Sequence, residues 1–302
     1  MRVREARALA SVVAAAILWG ISGVAAQELF VRDHVDAWWL VAVRIDVSAV
    51  LLLAWTAACG DELRTTLTLG PRGLRRRTLV FALVGLLGVQ ATYFLAVATG
   101  SAVTATLLQF TSPILILVWH SVVRRSRPRG LDLAIVAAAT GGIALVVGPS
   151  PGEHIGLAGV AWGLASAVAT ALYNLAPSRL YDHEPPKVVV TRAFVLAAVV
   201  VAPLALIHAP RTLAASGWGL VLFVAVVGTA VPFALYLTAL QRLAAFEANV
   251  VGTLEPIVAA ATSIAVGLAV ASWQMASGIA LVIAAVLATT TRPHKAAAAP
   301  EA

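Results

Sequence analysis

Long apolar segments alternate with short polar segments along almost the whole chain. Each apolar segment has about the 20 residues that an α-helix needs to cross a hydrocarbon layer of about 30 Å. Breaks at charge clusters, glycines and prolines predict ten such helices, over residues 8–30, 37–58, 78–98, 101–123, 131–148, 156–178, 187–207, 216–238, 244–269 and 271–291. The pattern therefore predicts an all-α protein that crosses a membrane ten times.

The composition supports this prediction. Of the 302 residues, 61% are hydrophobic and 12% are charged, and the mean hydropathy is +0.93, which is far from the balance of soluble domains. One cysteine, Cys59, excludes an internal disulfide framework and a cysteine cluster for a metal. The lack of a GxxxxGKS or GxxxxGKT motif argues against a self-contained pump driven by nucleotide hydrolysis. We expect no cofactor and no metal site.

The basic residues are concentrated in alternate polar segments. The net charge of +7 can indicate a nucleic-acid partner. If the N-terminus is cytoplasmic, however, most of the 21 Lys and Arg residues fall in inner segments, which is the positive-inside pattern of membrane proteins. We therefore expect a multi-pass protein of the bacterial inner (plasma) membrane, with the bilayer and not nucleic acid as its partner. Both termini are expected in the cytoplasm, with a disordered tail over residues 292–302.

The N-terminus also resembles a secretory signal, because RVREAR precedes an apolar region and the small residues of GVAAQ. The apolar run is longer than the usual core of a signal, and it has a counterpart in the second half of the chain. We therefore expect a retained first helix.

The two halves of the chain repeat one another. At an offset of 143 residues, Trp19-Gly20 matches Trp162-Gly163, Gly85 matches Gly228, Tyr93 matches Tyr236 and Pro113 matches Pro256, and at a nearby offset Arg44 matches Arg192. Residues 8–148 and 156–291 each contain five predicted spans. Because five is odd, the second repeat must enter the membrane in the opposite orientation. Such inverted repeats give one chain two related conformations, open to either side of the membrane.

Short motifs stand at matching positions of the two halves: ILWGISGVAAQ in the first span, AVRIDV and VTRAFV in the second and seventh, and FTSPILI and TLEPIVA in the fourth and ninth. By these motifs the chain resembles the EamA-type members of the drug/metabolite transporter superfamily over about residues 8–291. A Gly-Glu pair that many members carry after the fourth and ninth helices is missing, since VVRRSRP and GLAVASW stand there. The resemblance implies a small-metabolite transporter, often an exporter of amino acids or similar compounds.

Three prolines interrupt predicted spans. Proline removes one helical hydrogen bond and frees the carbonyl four residues earlier. Pro113 and Pro256 occupy matching positions of the two repeats, and Pro232 adds a third break. Broken helices at membrane depth are tolerated where they line a polar cavity. The alternative is that these prolines only bend helices so that they pack.

Glu255 and Arg44 are charged residues that the pattern places well inside spans. A charge at the centre of a membrane costs about 3 kcal/mol on insertion scales unless it is paired or hydrated. Because desolvation favours an uncharged carboxyl group, Glu255 is a candidate proton carrier and amine-binding group. Arg44 is a candidate for a substrate carboxylate. Alternatively, Glu255 forms a structural ion pair with Arg44 or Arg192, although Arg192 lies near a span end and can also snorkel to the surface.

Aromatic and amide side chains complete the predicted substrate site. They lie at positions paired by the repeat or near the breaks: Gln90, Tyr93, Gln109, Trp162, Asn174, Tyr236, Asn249 and Thr253. Each also has a structural interpretation, because Trp and Tyr anchor helix ends at the membrane interface and amides join helices by hydrogen bonds.

Transport competes with two other functions. An intramembrane protease or lipid phosphatase needs a nucleophile and a base buried together, but all six histidines fall in loops or at span ends. A receptor would be expected to carry a signalling domain, and the longest predicted inner loop, 59–77, is short. The sequence therefore favours a secondary transporter for a small molecule, with protons as a possible coupling ion. It does not predict an oligomeric state.

Overall fold

The computed structural model describes residues 2–60, 63–112, 114–116, 119, 130–131, 134, 137–138, 141–142, 145, 156–176, 178–240, 251–252 and 254–290. Within these ranges the chain is almost entirely helical and contains no β-strand. The all-α class is therefore confirmed.

The helices of the first half are α1 (Arg2–Val31), α2 (Ala37–Ala58), α3 (Leu63–Leu67), α4 (Arg75–Leu79), α5 (Leu87–Thr99) and α6 (Ala102–Gln109). A 3-10 turn over Arg72–Leu74 precedes α4, and a π-helical segment, π1 (Val80–Leu86), joins α4 to α5. The second half contains α7 (Leu157–Leu175), α8 (Ser178–Tyr181), α9 (Pro186–Ile207), α10 (Ala215–Leu222), the π-helical segment π2 (Phe223–Ala230), α11 (Val231–Ala239), α12 (Leu254–Ala265) and α13 (Trp273–Thr290).

Six stretches are long and apolar enough to cross a membrane by length and composition: Glu5–Val31, Ala37–Ala58, Leu63–Thr99, Leu157–Tyr181, Pro186–Ile207 and Ala215–Ala239. Shorter apolar helices cover Ala102–Ile116, Leu254–Ala265 and Trp273–Ala285. These nine stretches correspond to nine of the ten predicted spans. The remaining span, 131–148, lies largely outside the described residues.

Helices α2 and α9 run antiparallel and define the two ends of the bundle. The hydroxyls of Thr56 and Thr191 hydrogen-bond at 2.9 Å where α2 ends and α9 begins. At the other extreme, His208 after α9 lies 3.4 Å from Asp36 before α2. We call the end that carries Arg75–Leu79 the basic end, and the end that carries Asp36 and His208 the opposite end.

The first helices of the two halves run in opposite directions. Helix α1 leads to the opposite end, because a short turn after Val31 connects it to the start of α2. Helix α7 begins at the opposite end, since a Cβ atom on Gly159 would lie 2.9 Å from the carbonyl oxygen of Thr99, where α5 ends. This reversal is the arrangement that five spans per half require.

Paired glycines mark where the two halves are in closest contact. A Cβ atom on Gly20 of α1 would lie 2.9 Å from the backbone oxygen of Glu255 in α12. On the matching Gly163 of α7, it would collide with Leu108 of α6. The first helix of each half therefore packs on the fourth membrane helix of the other half. In lipid, where apolar burial drives no association, such close contact is a main source of helix packing energy.

The third membrane helix of each half contains a π-helical segment at the same place in the repeat. Gly85 of π1 approaches the backbone of α7, with 3.3 Å between a built Cβ atom and the Cα atom of Tyr173. Gly228 of π2 packs directly on Ser22 of α1. Short π-helical segments are rare and often lie at functional sites. Both segments face the first helix of the other half, where the candidate site lies.

Candidate substrate site

Arg44 is buried between the two halves of the bundle. It is the eighth residue of α2 and is only 2% exposed. Its Nε donates a hydrogen bond of 3.0 Å to the hydroxyl of Thr229 in π2, and its guanidinium carbon lies 3.8 Å from the centre of the Phe94 ring, within the range of a cation–π contact. Its Nη1 is buried without a partner among the described residues. A guanidinium edge is therefore available to a ligand.

One face of α2 holds Arg44 in place. Ser48 lies one turn after Arg44 on the same face and donates a hydrogen bond of 3.0 Å to the carbonyl of Ala225 in π2. The hydroxyl of Thr229 donates to the carbonyl of Val224 at 2.7 Å, so its lone pair remains to accept from Arg44. The π-helical segment thus supplies the groups that orient the arginine.

Tyr93 lies beside Arg44 and carries a buried hydroxyl group. This hydroxyl is 3.0 Å from the hydroxyl of Thr106 in α6. Because Thr106 donates its own proton to the carbonyl of Ala102, Tyr93 is the donor to Thr106. A Cβ atom on Gly23 would collide with the Tyr93 hydroxyl, so a larger residue at this position would have to displace that hydroxyl.

Glu255 is buried inside the bundle, at an exposed fraction of 7%. It lies in α12, at the point where Gly20 lets α1 approach. The Tyr93 hydroxyl packs one turn further along α1, at Gly23. The Tyr93 ring contacts Phe94, on which Arg44 stacks. In the part of the chain that the structure describes, no ion pair joins Glu255 to an arginine. The structure therefore brings Arg44, Tyr93 and Glu255 together without joining the two charges.

Arg192 does not belong to this cluster, and the prediction that it snorkels to the surface is wrong. It is 1% exposed and forms a two-pronged ion pair with Glu184, at 2.5 Å from Nη1 and 2.6 Å from Nη2. Its Nη2 also donates to the carbonyl of Thr65 at 2.7 Å. The part of the predicted loop around Thr65 and Gly70 folds over Arg192, which distance along the sequence alone does not reveal. The alternative pairing of Glu255 with Arg192 is therefore also wrong.

The predicted amide residues have different hydrogen-bond partners. Gln90 is 6% exposed, and its Nε2 has no partner among the described residues. Gln109 accepts a hydrogen bond of 2.7 Å from Ser166 in α7, so it joins the two halves. Asn174 donates to the carbonyl of Thr170 in its own helix at 2.9 Å.

The predicted aromatic residues Tyr236 and Trp162 have different environments. The Tyr236 ring lies 5.6 Å from the ring of Trp19, on the side of α1 that faces α11. Trp162 is 36% exposed, although Gly163 beside it is in a tight contact between the halves. Trp162 therefore lies partly on the surface of the bundle. Its role in binding stays a prediction.

The predicted helix breaks are placed in part. Pro232 follows π2 directly as the second residue of α11, so the break in this span is a π-helical segment. Pro256 lies within α12, and residues 251 and 252 before it are also helical. Pro113, Asn249 and Thr253 lie outside the described residues.

Sequence reasoning missed Thr229, Thr106 and Ser22. Hydroxyl residues are common in membrane helices, and their spacing does not show which of them meet across helices. Ser22 has a buried hydroxyl without a partner among the described residues, next to Gly228. The repeated Gly85 and Gly228 were a signal of the close helix contacts that these two segments make.

Comparisons with known proteins agree with this architecture. The model of the EamA-like transporter family matches residues 6–148 and, separately, residues 157–291. The chain belongs to the EamA-like transporter family. A solved crystal structure with 19% identity superposes on this EamA transporter with a TM-score of 0.66, covering 93% of this chain and 94% of the other.

Three relatives of this EamA transporter are themselves named as transporters. The uncharacterized inner membrane transporter YicL of Salmonella typhimurium is 31% identical over 261 residues, which cover 85% of this chain and 86% of YicL. The uncharacterized transporter YwfM of Bacillus subtilis is 27% identical over 300 residues, 94% of each chain. The threonine/homoserine exporter RhtA of Escherichia coli is 28% identical over 192 residues, 62% of this chain and 61% of RhtA. The EamA transporter is thus a multi-pass membrane transporter of small molecules.

Proposed function

We propose that this EamA transporter moves a small amino-acid-like or drug-like metabolite outward across the bacterial inner membrane, with both termini in the cytoplasm. The proposed mechanism is alternating access around a central site between two inverted repeats, residues 8–148 and 156–291. The substrate binds among Arg44, Tyr93 and Glu255, with the other predicted side chains as further contacts.

The observation that carries this proposal is the incomplete pairing of Arg44. Its Nη1 is buried and has no partner among the described residues, while Thr229 and Phe94 hold the rest of the guanidinium. A buried charged donor left unpaired is costly. A substrate carboxylate would supply the missing acceptor with charge-assisted hydrogen bonds.

Glu255 supplies the complementary charge for a substrate amine. Tyr93 and Glu255 pack on neighbouring turns of α1, at Gly23 and Gly20. Arg44 stacks on Phe94 beside Tyr93. This arrangement supports binding of a small zwitterion by Arg44, Tyr93 and Glu255. The name of RhtA as a threonine/homoserine exporter supports an amino-acid-like substrate for this chain. When no amine is bound, a proton on Glu255 would remove its buried charge, which makes protons the proposed coupling ion.

The reciprocal packing of the two halves supports alternating access. Each first helix packs on the fourth membrane helix of the other half, at Gly20 and at Gly163. Each π-helical segment packs on the first helix of the other half, at Gly85 and at Gly228. Paired interfaces of this kind let one half rock against the other without a change in the helices themselves.

The test is counterflow into proteoliposomes with chemically matched substrates. A panel of amino acids, amines and organic acids is measured with and without a pH gradient, and each amino acid that exchanges is compared with its methyl ester and with its deaminated acid. We expect exchange for the zwitterion and strong losses for both derivatives. Liposomes without protein give the background.

Two results would contradict the proposal. Equal exchange of an amino acid and its methyl ester would show that Arg44 does not bind a carboxylate. No exchange of any compound in the panel, with a correctly folded protein, would contradict an amino-acid-like substrate.

A further inference from the structure

Arg192 lies at the basic end of the bundle, apart from the cluster of Arg44, Tyr93 and Glu255. Its guanidinium binds both carboxylate oxygens of Glu184 and the carbonyl of Thr65. Glu184 and Arg192 belong to the second half, and Thr65 lies in α3 of the first. One buried side chain therefore fastens the two halves together at this end.

Gly70 closes over this ion pair. Its φ angle is +75°, a left-handed conformation that favours glycine. A Cβ atom at this position would lie 2.9 Å from Nη1 of Arg192 and 3.4 Å from Oε2 of Glu184. The segment that follows α3 thus passes directly over the pair, and the basic end is closed at this point.

The repeat supplies a matching pair at the opposite end. Glu184 lies eight residues before Arg192, and Asp36 lies eight residues before the matching Arg44. Asp36 is the N-cap of α2, and Glu184 directly precedes Pro185, the N-cap of α9. Each acid thus lies at the start of its helix, at the same distance along the chain from its arginine.

The two pairs are in different states. Glu184 and Arg192 are joined. By contrast, Asp36 accepts a hydrogen bond of 3.1 Å from the backbone of Trp39 and lies 3.4 Å from His208, while Arg44 turns to Thr229 and Phe94. Glu184 is therefore paired with its arginine, whereas Asp36 contacts His208 of the other half and Arg44 has other partners.

We infer that Glu184–Arg192 and Asp36–Arg44 are alternate latches, so that the first closes the basic end in the present conformation and the second closes the opposite end in the other one. This inference rests on the proposed alternating access. Inverted repeats exchange conformations between the two states, so a contact of one half at one end predicts the matching contact of the other half at the other end. Arg44 then binds the substrate in one state. In the other state Arg44 binds Asp36, and this pairing would displace the substrate.

The test measures both ends of the molecule by distances between spin labels in liposomes. With Cys59 replaced by serine, one sample carries labels at Leu67 and Asp182 for the basic end, and another carries labels at Val31 and Thr212 for the opposite end. All four positions are exposed, and each pair spans the two halves. The variants are Glu184→Gln, which removes the charge, and Arg192→Lys, which keeps the charge but loses the two-pronged fork. The control is Arg179→Gln, an exposed cation at the same end.

We expect Glu184→Gln to lengthen the distances at the basic end and to shorten those at the opposite end, with a smaller shift in the same direction for Arg192→Lys and none for Arg179→Gln. Adding Asp36→Asn to Glu184→Gln should reverse the shortening, because the second latch is then also lost. Lengthening at the basic end alone indicates a merely structural pair and overturns the inference, as does an unchanged distance at both ends.

These distances do not depend on substrate. Reciprocal shifts in a protein that exchanges no compound of the panel would uphold the latches and contradict the proposed substrate class. Exchange of an amino acid without reciprocal shifts would uphold the proposed substrate class and contradict the latches.

Discussion

Arg44 and Arg192 occupy matching positions in the two halves, yet the structure gives them different environments. Arg192 has a carboxylate and a backbone carbonyl as partners, whereas Arg44 has one hydroxyl and one aromatic face. Both are almost fully buried. The difference teaches that a repeat in sequence predicts a shared fold but not a shared role, because the role depends on what the other half brings to each residue.

The largest expected difference between the two arginines is in the free energy of unfolding that is lost when each is replaced in turn. Arg192→Gln leaves the buried carboxylate of Glu184 without a cation, which costs about 3–5 kcal/mol for a buried pair. Arg44→Gln removes a charge that is already short of partners, so we expect a loss below about 1 kcal/mol, within the usual range of a single hydrogen bond. Thermal unfolding in detergent, followed by circular dichroism, measures both. Equal losses would show that the two residues are both structural.

Substrate binding should show the reverse order. Arg44→Gln should weaken binding about 100-fold, since charge-assisted hydrogen bonds contribute about 1.5–3 kcal/mol each. Competition in counterflow measures this affinity. Asp46→Asn is the matched control, because Asp46 lies two residues away on another face of α2 and also has a buried carboxylate oxygen without a partner among the described residues. Similar losses for both variants would point to general damage to α2.

Glu255→Gln tests whether the acidic residue of the cluster carries the coupling proton. The amide cannot release a proton, so the variant should lose the stimulation of transport by a pH gradient and keep exchange of substrate across the membrane. Uptake with and without the gradient, together with counterflow, separates the two modes. Full proton coupling in this variant would remove Glu255 as the proton carrier.

The smallest expected effect compares the paired glycines. Gly20→Ala meets a backbone oxygen and the Cβ atom of Val258, both at 2.9 Å, so the helices must separate, which costs about 1–3 kcal/mol as for other overpacked sites. Gly163→Ala meets the side chain of Leu108, including its Cβ atom at 2.8 Å, which moves only with the backbone, so we expect a loss of similar size. Unfolding temperatures of the two variants measure both losses. A loss from only one of the two variants would contradict the reciprocal contacts of the two halves.

The predicted bounds agree closely with the structure for the second and seventh spans, whereas α1 begins at Arg2 and α6 ends at Gln109, inside the predicted span 101–123. The second span was predicted at 37–58 and is Ala37–Ala58, and the seventh at 187–207 and is Pro186–Ile207. This accuracy has a physical cause, because in lipid every backbone group must be satisfied within its own helix and the length of an apolar run is then set by membrane thickness. The π-helical segments have no such signal, since they conserve apolar composition and change only the register of hydrogen bonds.

The sequence by itself determined the class of fold, the two repeats and the burial of Arg44 and Glu255. These follow from hydropathy and from spacing along one chain. Only the tertiary structure decided that Thr229 and Phe94 receive Arg44, and that the segment around Thr65 and Gly70 covers Arg192. The reason is that Thr229 lies 185 residues from Arg44 and Thr65 lies 127 residues from Arg192, and only the packing of one half against the other brings these residues together.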